Sequence, residues 1–131
     1  MKKIVTLISA VLLMASLGYA QENTTEIKED FKPSTLNQPG KEYPMVNSQG
    51  YARFRVEAPD ATAVSVSLGL GGRGGTVLQK AEDGSWMGTT AGPLDEGFHY
   101  YHLTIDGGVF NDPGTLNFYG STRWESGITV S

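Results

Sequence analysis

The chain has 131 residues, of which 17 are glycine, none is cysteine and 18% are charged, for a formal net charge of −4. The missing cysteine excludes disulfide staples, so an exported domain of this length has to rely on its apolar core. The acidic balance repels phosphate backbones and argues against nucleic acid as a partner.

Lys2 and Lys3 open the chain, an apolar run follows from Ile4 to Leu17, and Gly18-Tyr19-Ala20 gives a small-x-small cleavage signal before Gln21. Residues 1–20 thus have the layout of a secretory signal peptide. The apolar run is shorter than the ~20 residues of a membrane-spanning helix. The expectation is a secreted or periplasmic protein, with no membrane association after cleavage. Cleavage leaves one domain's worth of chain. The ten basic residues less Lys2 and Lys3, against fourteen acids, give the mature chain a net charge of about −6.

Residues 21–42 are polar and aperiodic, and Pro33, Pro39 and Gly40 interrupt any helix. They read as an extended leader, ordered only where it docks. A β-rich region follows over residues 43–131. Ala52, Phe54 and Val56 alternate with Arg53, Arg55 and Glu57, which predicts a half-buried strand. Val64, Val66 and Leu68 alternate with Ser65 and Ser67 in the same way. A weaker strand covers Thr76 to Lys80, Glu82-Asp83-Gly84 turns the chain, and another strand runs from Ser85 to Thr90.

Phe98 to Ile105 is the strongest strand, dense in aromatic and β-branched residues. Its period of two sets His99, Tyr101, Leu103 and Ile105 against the core, with Tyr100 and His102 outward. Asp106-Gly107-Gly108 predicts a hairpin turn into Val109-Phe110. Asn111 to Gly114 is a further turn, and Gly127 to Ser131 closes with Ile128 and Val130 on one face. About seven short strands with frequent turns predict an all-β, immunoglobulin-like sandwich.

Gly69, Gly71 and Gly74 spell a G-x-G-x-x-G. A dinucleotide site also needs a helix opening inside that turn, and only Thr76 to Ala81 precede the next turn signal. The stretch is read as a loop at a sandwich end, with Arg73 its reaching side chain. His99 and His102 have opposite parity, so a regular strand cannot bring both to one metal ion. The acids gather at turns, no G-x-S-x-G elbow is present, and no Ser/His/Asp set is recognisable. No catalytic residue, metal or cofactor is expected. Trp86, flanked by Ser85 and Met87, is assigned to the core, whereas Trp124 lies outside the clear alternation.

FRVEAPDATAVSVSL, DGSWMGTT, GPLDEGFHYYHLTIDGGVFNDP and FYGSTRWESGITV follow one another from Phe54 to Val130. In that order they resemble the N-terminal domain of secreted Bacteroidetes carbohydrate esterases of the feruloyl or acetyl-xylan type. That domain is similar to early-set immunoglobulin-like modules of the glycogen- and starch-binding kind, and in those esterases an α/β-hydrolase domain follows it. Starch-binding relatives carry tryptophans where this chain has the glycine-rich run and Val109, and a lysine where it has His102.

The resemblance therefore implies a non-catalytic carbohydrate-binding or accessory module, directed at a polysaccharide such as plant cell-wall xylan rather than starch. Trp124, Tyr119, Tyr100 and Phe110 would stack on sugar, and Arg123 and His102 would make polar contacts. The alternative is a structural module that docks on a C-terminal esterase domain and shapes its pocket. Coplanar, solvent-facing rings would favour sugar, and rings tucked toward a partner would favour docking.

Overall fold

Short runs apolar on one side only can bury that side by stacking one sheet on another. The computed structural model describes residues 26–68, 75–120 and 123–131, and among them are eleven strands and no helix. In chain order these are β1 (Lys32–Pro33), β2 (Met45–Val46), β3 (Ala52–Glu57), β4 (Val64–Leu68), β5 (Gly75–Val77) and β6 (Gln79–Lys80). They continue as β7 (Ser85–Thr89), β8 (Gly97–Ile105), β9 (Gly108–Phe110), β10 (Asn117–Gly120) and β11 (Arg123–Val130). One sheet runs β1-β2-β3-β7-β6, and the other runs β10-β11-β8-β4-β5 with β9 also paired to β8. Every pairing is antiparallel. The fold is an immunoglobulin-like β-sandwich, as the sequence predicts, with more and shorter strands than the seven expected.

The core lies between the two sheets. Ala52, Phe54, Val56 and Trp86 enter it from the first sheet, and Val64, Val66, Tyr101, Leu103 and Ile128 from the second. Phe54 and Tyr101 meet across the layer with ring centroids 5.3 Å apart. Trp86 is buried, and its indole N–H donates to the Ala58 carbonyl at 2.9 Å. The single strand expected over Thr76 to Lys80 is divided between sheets: β5 pairs with β4, and β6 pairs with β7. Leu78 makes the crossing, fully buried, with its N–H on the Val64 carbonyl.

β8 is long enough for one of its flanks to serve two partners. β11 pairs along Gly97 to Tyr101, and β9 takes Leu103 to Ile105. The turn between β8 and β9 has positive φ at Asp106 and Gly107, 48° and 85°, the pattern of a type I′ hairpin. Asp106 also accepts the N–H groups of Thr62 and Ala63 and the Thr62 hydroxyl, at 2.8–2.9 Å. Those bonds, led by the Thr62 N–H, lower its pKa below the ordinary aspartate value.

Residues 26–42 are laced to the sandwich. The Arg53 guanidinium bonds Glu29 at 2.8 Å and lies 3.9 Å over the Phe31 ring, Asn47 donates to the Lys28 carbonyl, and Asn37 forms a bridge with Thr115. Residues 1–25 and the glycine-rich stretch 69–74 lie outside the described residues, and with them the signal peptide, Arg73 and the G-x-G-x-x-G.

Candidate functional site

Tyr119 on β10 and Trp124 on β11 are direct cross-strand partners. Their parity is that of Ser126 and Ile128, which face the core. Yet Tyr119 is 63% exposed and Trp124 61%. Their rings meet edge to face, with centroids 5.6 Å apart and planes 64° apart. Each ring braces the other and keeps a free face toward solvent. The pair is solvent-facing but not coplanar.

Tyr100, His102 and Arg123 lie on the other face of the same sheet. Tyr100 stands opposite Gly127 in the register, and its hydroxyl reaches across β11 to lie over Gly120. Phe98 and Phe118 close over Gly127, where a Cβ would stand 2.6 Å from one ring and 2.8 Å from the other. Phe98 packs edge-on against both Tyr100 and Phe118, with centroids 4.8 and 5.1 Å away. Glycine at 127 thus leaves room for Phe98 and Phe118 to close over the β11 backbone. Beside them, Arg123 Nη2 is 2.7 Å from Glu125 Oε1, and His102 Nδ1 approaches the same oxygen at 3.5 Å. The Glu125 carboxylate is nearly enclosed, and the arginine compensates its desolvation.

Phe110, on β9, is 52% exposed and makes no ring contact with the other candidates. The six candidates therefore fall into three places rather than one surface: the Tyr119–Trp124 pair, the Tyr100–His102–Arg123 face, and Phe110. His99, as its parity requires, is buried, with Nε2 2.6 Å from the Asp95 carbonyl oxygen. Sequence reasoning missed Glu125, which neutralises Arg123, and the ring pair Phe98–Phe118. The signal for Glu125 lies in its spacing, two residues before Gly127, on the alternation that also carries Arg123.

Behind this region a buried network holds the turn after β9 to the core. The Tyr101 hydroxyl donates to Asp112 Oδ2 at 2.6 Å, and the Asp112 N–H donates to the Ser126 hydroxyl at 2.7 Å. Asp112 Oδ1 also accepts the Gly114 N–H at 2.8 Å. Burial first, and then the Asp112 charge, push the Tyr101 hydroxyl well above the usual tyrosine pKa. It is a donor held in place to shape the loop.

Fold and geometry together define an immunoglobulin-like β-sandwich that presents a braced aromatic pair at one end. Among the described residues no group of three or more His, Cys, Asp and Glu could hold a metal ion, and no helix is long and apolar enough to cross a membrane. No protein-family model matches the chain. Over 103 residues, 79% of its length, it is 77% identical to an endo-1,4-beta-xylanase/feruloyl esterase of Xylanibacter ruminicola. The chain spans only 14% of the length of that relative.

Proposed function

We propose that this chain is a non-catalytic accessory module of an exported xylan-degrading enzyme, and that Tyr119 and Trp124 hold the polysaccharide. The observation that carries this reading is the pair of half-open rings, more than 60% exposed, on a strand pair whose one other aromatic residue, Phe118, is half-buried. A pyranose ring presents a flat C–H face, which packs on an aromatic face and leaves its hydroxyls in water. With planes 64° apart, the pair seats one sugar on the free face of Trp124 and uses Tyr119 as a side wall. That suits a chain whose successive sugars turn about its axis better than a flat crystalline ribbon. Tyr100, His102 and Arg123, on the opposite face, reach a glycan only where it bends around the β10 edge. The relative's printed name, and the chain's short share of it, support the accessory role, with catalysis elsewhere in such an enzyme. Secretion or release to the periplasm through residues 1–20, and the early-set, glycogen-binding type of sandwich, belong to the same proposal.

Affinity electrophoresis of residues 21–131 through gels containing xylan or glycogen tests it. Retardation by xylan, largely lost in Trp124→Ala, is expected; migration unaltered by either polymer overturns the binding role.

A second reading has its own observation. The tilt of the rings breaks a continuous sugar platform, and Phe98 on β8 and Phe118 on β10 form a further aromatic patch on the other face of the same sheet, which suits docking against an esterase domain. Under that reading Trp124→Ala does not alter migration through xylan and lowers the solubility or stability of the full enzyme.

A further inference from the structure

Phe110 belongs to a cleft of about 580 Å³ at the open edge between the sheets, with walls from residues 40–42 of the leader and Tyr43, from β3 and from residues 110–114. The volume lies within the range of about 300–1,000 Å³ typical of small-molecule sites. Val56, Leu103 and Ile105 give it an apolar floor, and the rings of Phe110 and Tyr43 stand among its walls. Around them are Lys41, Glu42, Glu57 and Asn111, whose side chains make no hydrogen bond or ion pair with any other described residue. Asp112 also lines the cleft, but its carboxylate is spent on Tyr101 and Gly114; Arg55 is partly committed to Asp83.

We infer that this cleft is a second glycan site, separate from the Tyr119–Trp124 pair, and that it takes a short neutral oligosaccharide with one sugar against Phe110. The charges of its free rim select the ligand class. Lys41 and Arg55, the latter shared with Asp83, face Glu42, Glu57 and Asp112, so the rim is net negative and an anionic ligand meets more repulsion than attraction. A hydroxyl, by contrast, both donates and accepts, and it finds carboxylate acceptors, ammonium and guanidinium donors and a carboxamide on one rim. The apolar floor and two rings supply the face on which the C–H side of a sugar loses its water. Asp112, tied to Tyr101, Ser126 and Gly114, keeps the 110–114 wall in place before any ligand arrives.

The inference rests on the glycan-binding reading of the module, and the experiment separates the failure of one from the failure of the other. Xylotetraose is titrated into 15N-labelled residues 21–131 as wild type, Trp124→Ala, Phe110→Ala and Asn111→Ala, and amide shifts are followed. The expected result is a set of shifts at residues 41–43 and 110–114 that persists in Trp124→Ala. In Phe110→Ala the affinity read from those shifts falls about tenfold or more. In Asn111→Ala it falls by less, while amides remote from the cleft keep their positions. Shifts confined to Tyr119, Trp124 and their neighbours overturn the second site and leave the first standing. No shifts anywhere overturn both. Cleft shifts of equal affinity in Phe110→Ala and wild type overturn the role given to Phe110 and the inference with it.

Discussion

Trp86 on β7 and Trp124 on β11 are the two tryptophans of the chain, placed in opposite physical situations. Trp86 is 7% exposed, sits in the core cluster and has its N–H bonded to a backbone carbonyl. Trp124 is 61% exposed, touches Tyr119 by an edge, and its indole N–H bonds no other described residue. The first is accounted for entirely by folding. The second leaves a large ring in water, and folding alone does not call for it. The same contrast holds within β8, where Tyr101 is locked to Asp112 and Tyr100 lies on the outer surface.

The strongest way to break that contrast is to truncate both tryptophans. Trp86→Ala should cost about 3–5 kcal/mol of stability, the range for emptying a packed aromatic site, read from the urea midpoint at constant m. Trp124→Ala should stay within about 0.5 kcal/mol of wild type, as exposed positions do, while removing xylan retardation. Comparable losses from the two would erase the distinction. A smaller effect sharpens it at Tyr101→Phe, which leaves a buried Asp112 oxygen short of its donor and should cost about 1–3 kcal/mol. Near-neutral behaviour there would mean that the network does not hold the 110–114 wall.

The smallest effect concerns Asp106 at the hairpin turn. Its folded pKa lies below the unfolded one, so its contribution is complete above the ordinary carboxylate range and is lost as pH falls through the lowered folded value. Asp106→Asn should therefore lower stability at neutral pH, where that contribution is complete, and flatten the acid limb below about pH 4. An unaltered acid limb would place that dependence on other carboxylates. Asparagine also tolerates the positive φ at this position, so backbone strain does not confound the measurement.

Where one side of a strand is buried, the sequence was legible. β3, β4, β7 and β8 stand close to where alternation puts them, and the inward and outward residues of β8 are those its parity names. β1, β2, β10 and the first half of β11 were not legible. β1 and β2 are two residues each, too short for any period, and are made strands by their partners. Along Phe118-Tyr119 and Arg123-Trp124 aromatic rings occur on both faces, so no contrast marks an inside. The candidate residues were legible by type, as exposed rings and polar neighbours, but not by grouping.

Local chemistry determined the turn at Asp106-Gly107, the burial of Trp86 and His99, and the sandwich class, because turn propensity and a period of two act over a few residues. Only the tertiary structure decided that the stretch from Gly75 to Lys80 divides between sheets at Leu78. It alone set Tyr119 beside Trp124, turned Tyr100 and Arg123 to the opposite face, and gave Phe110 a cleft of its own. Those outcomes depend on register between distant strands, where a slip of one residue exchanges the faces of every side chain.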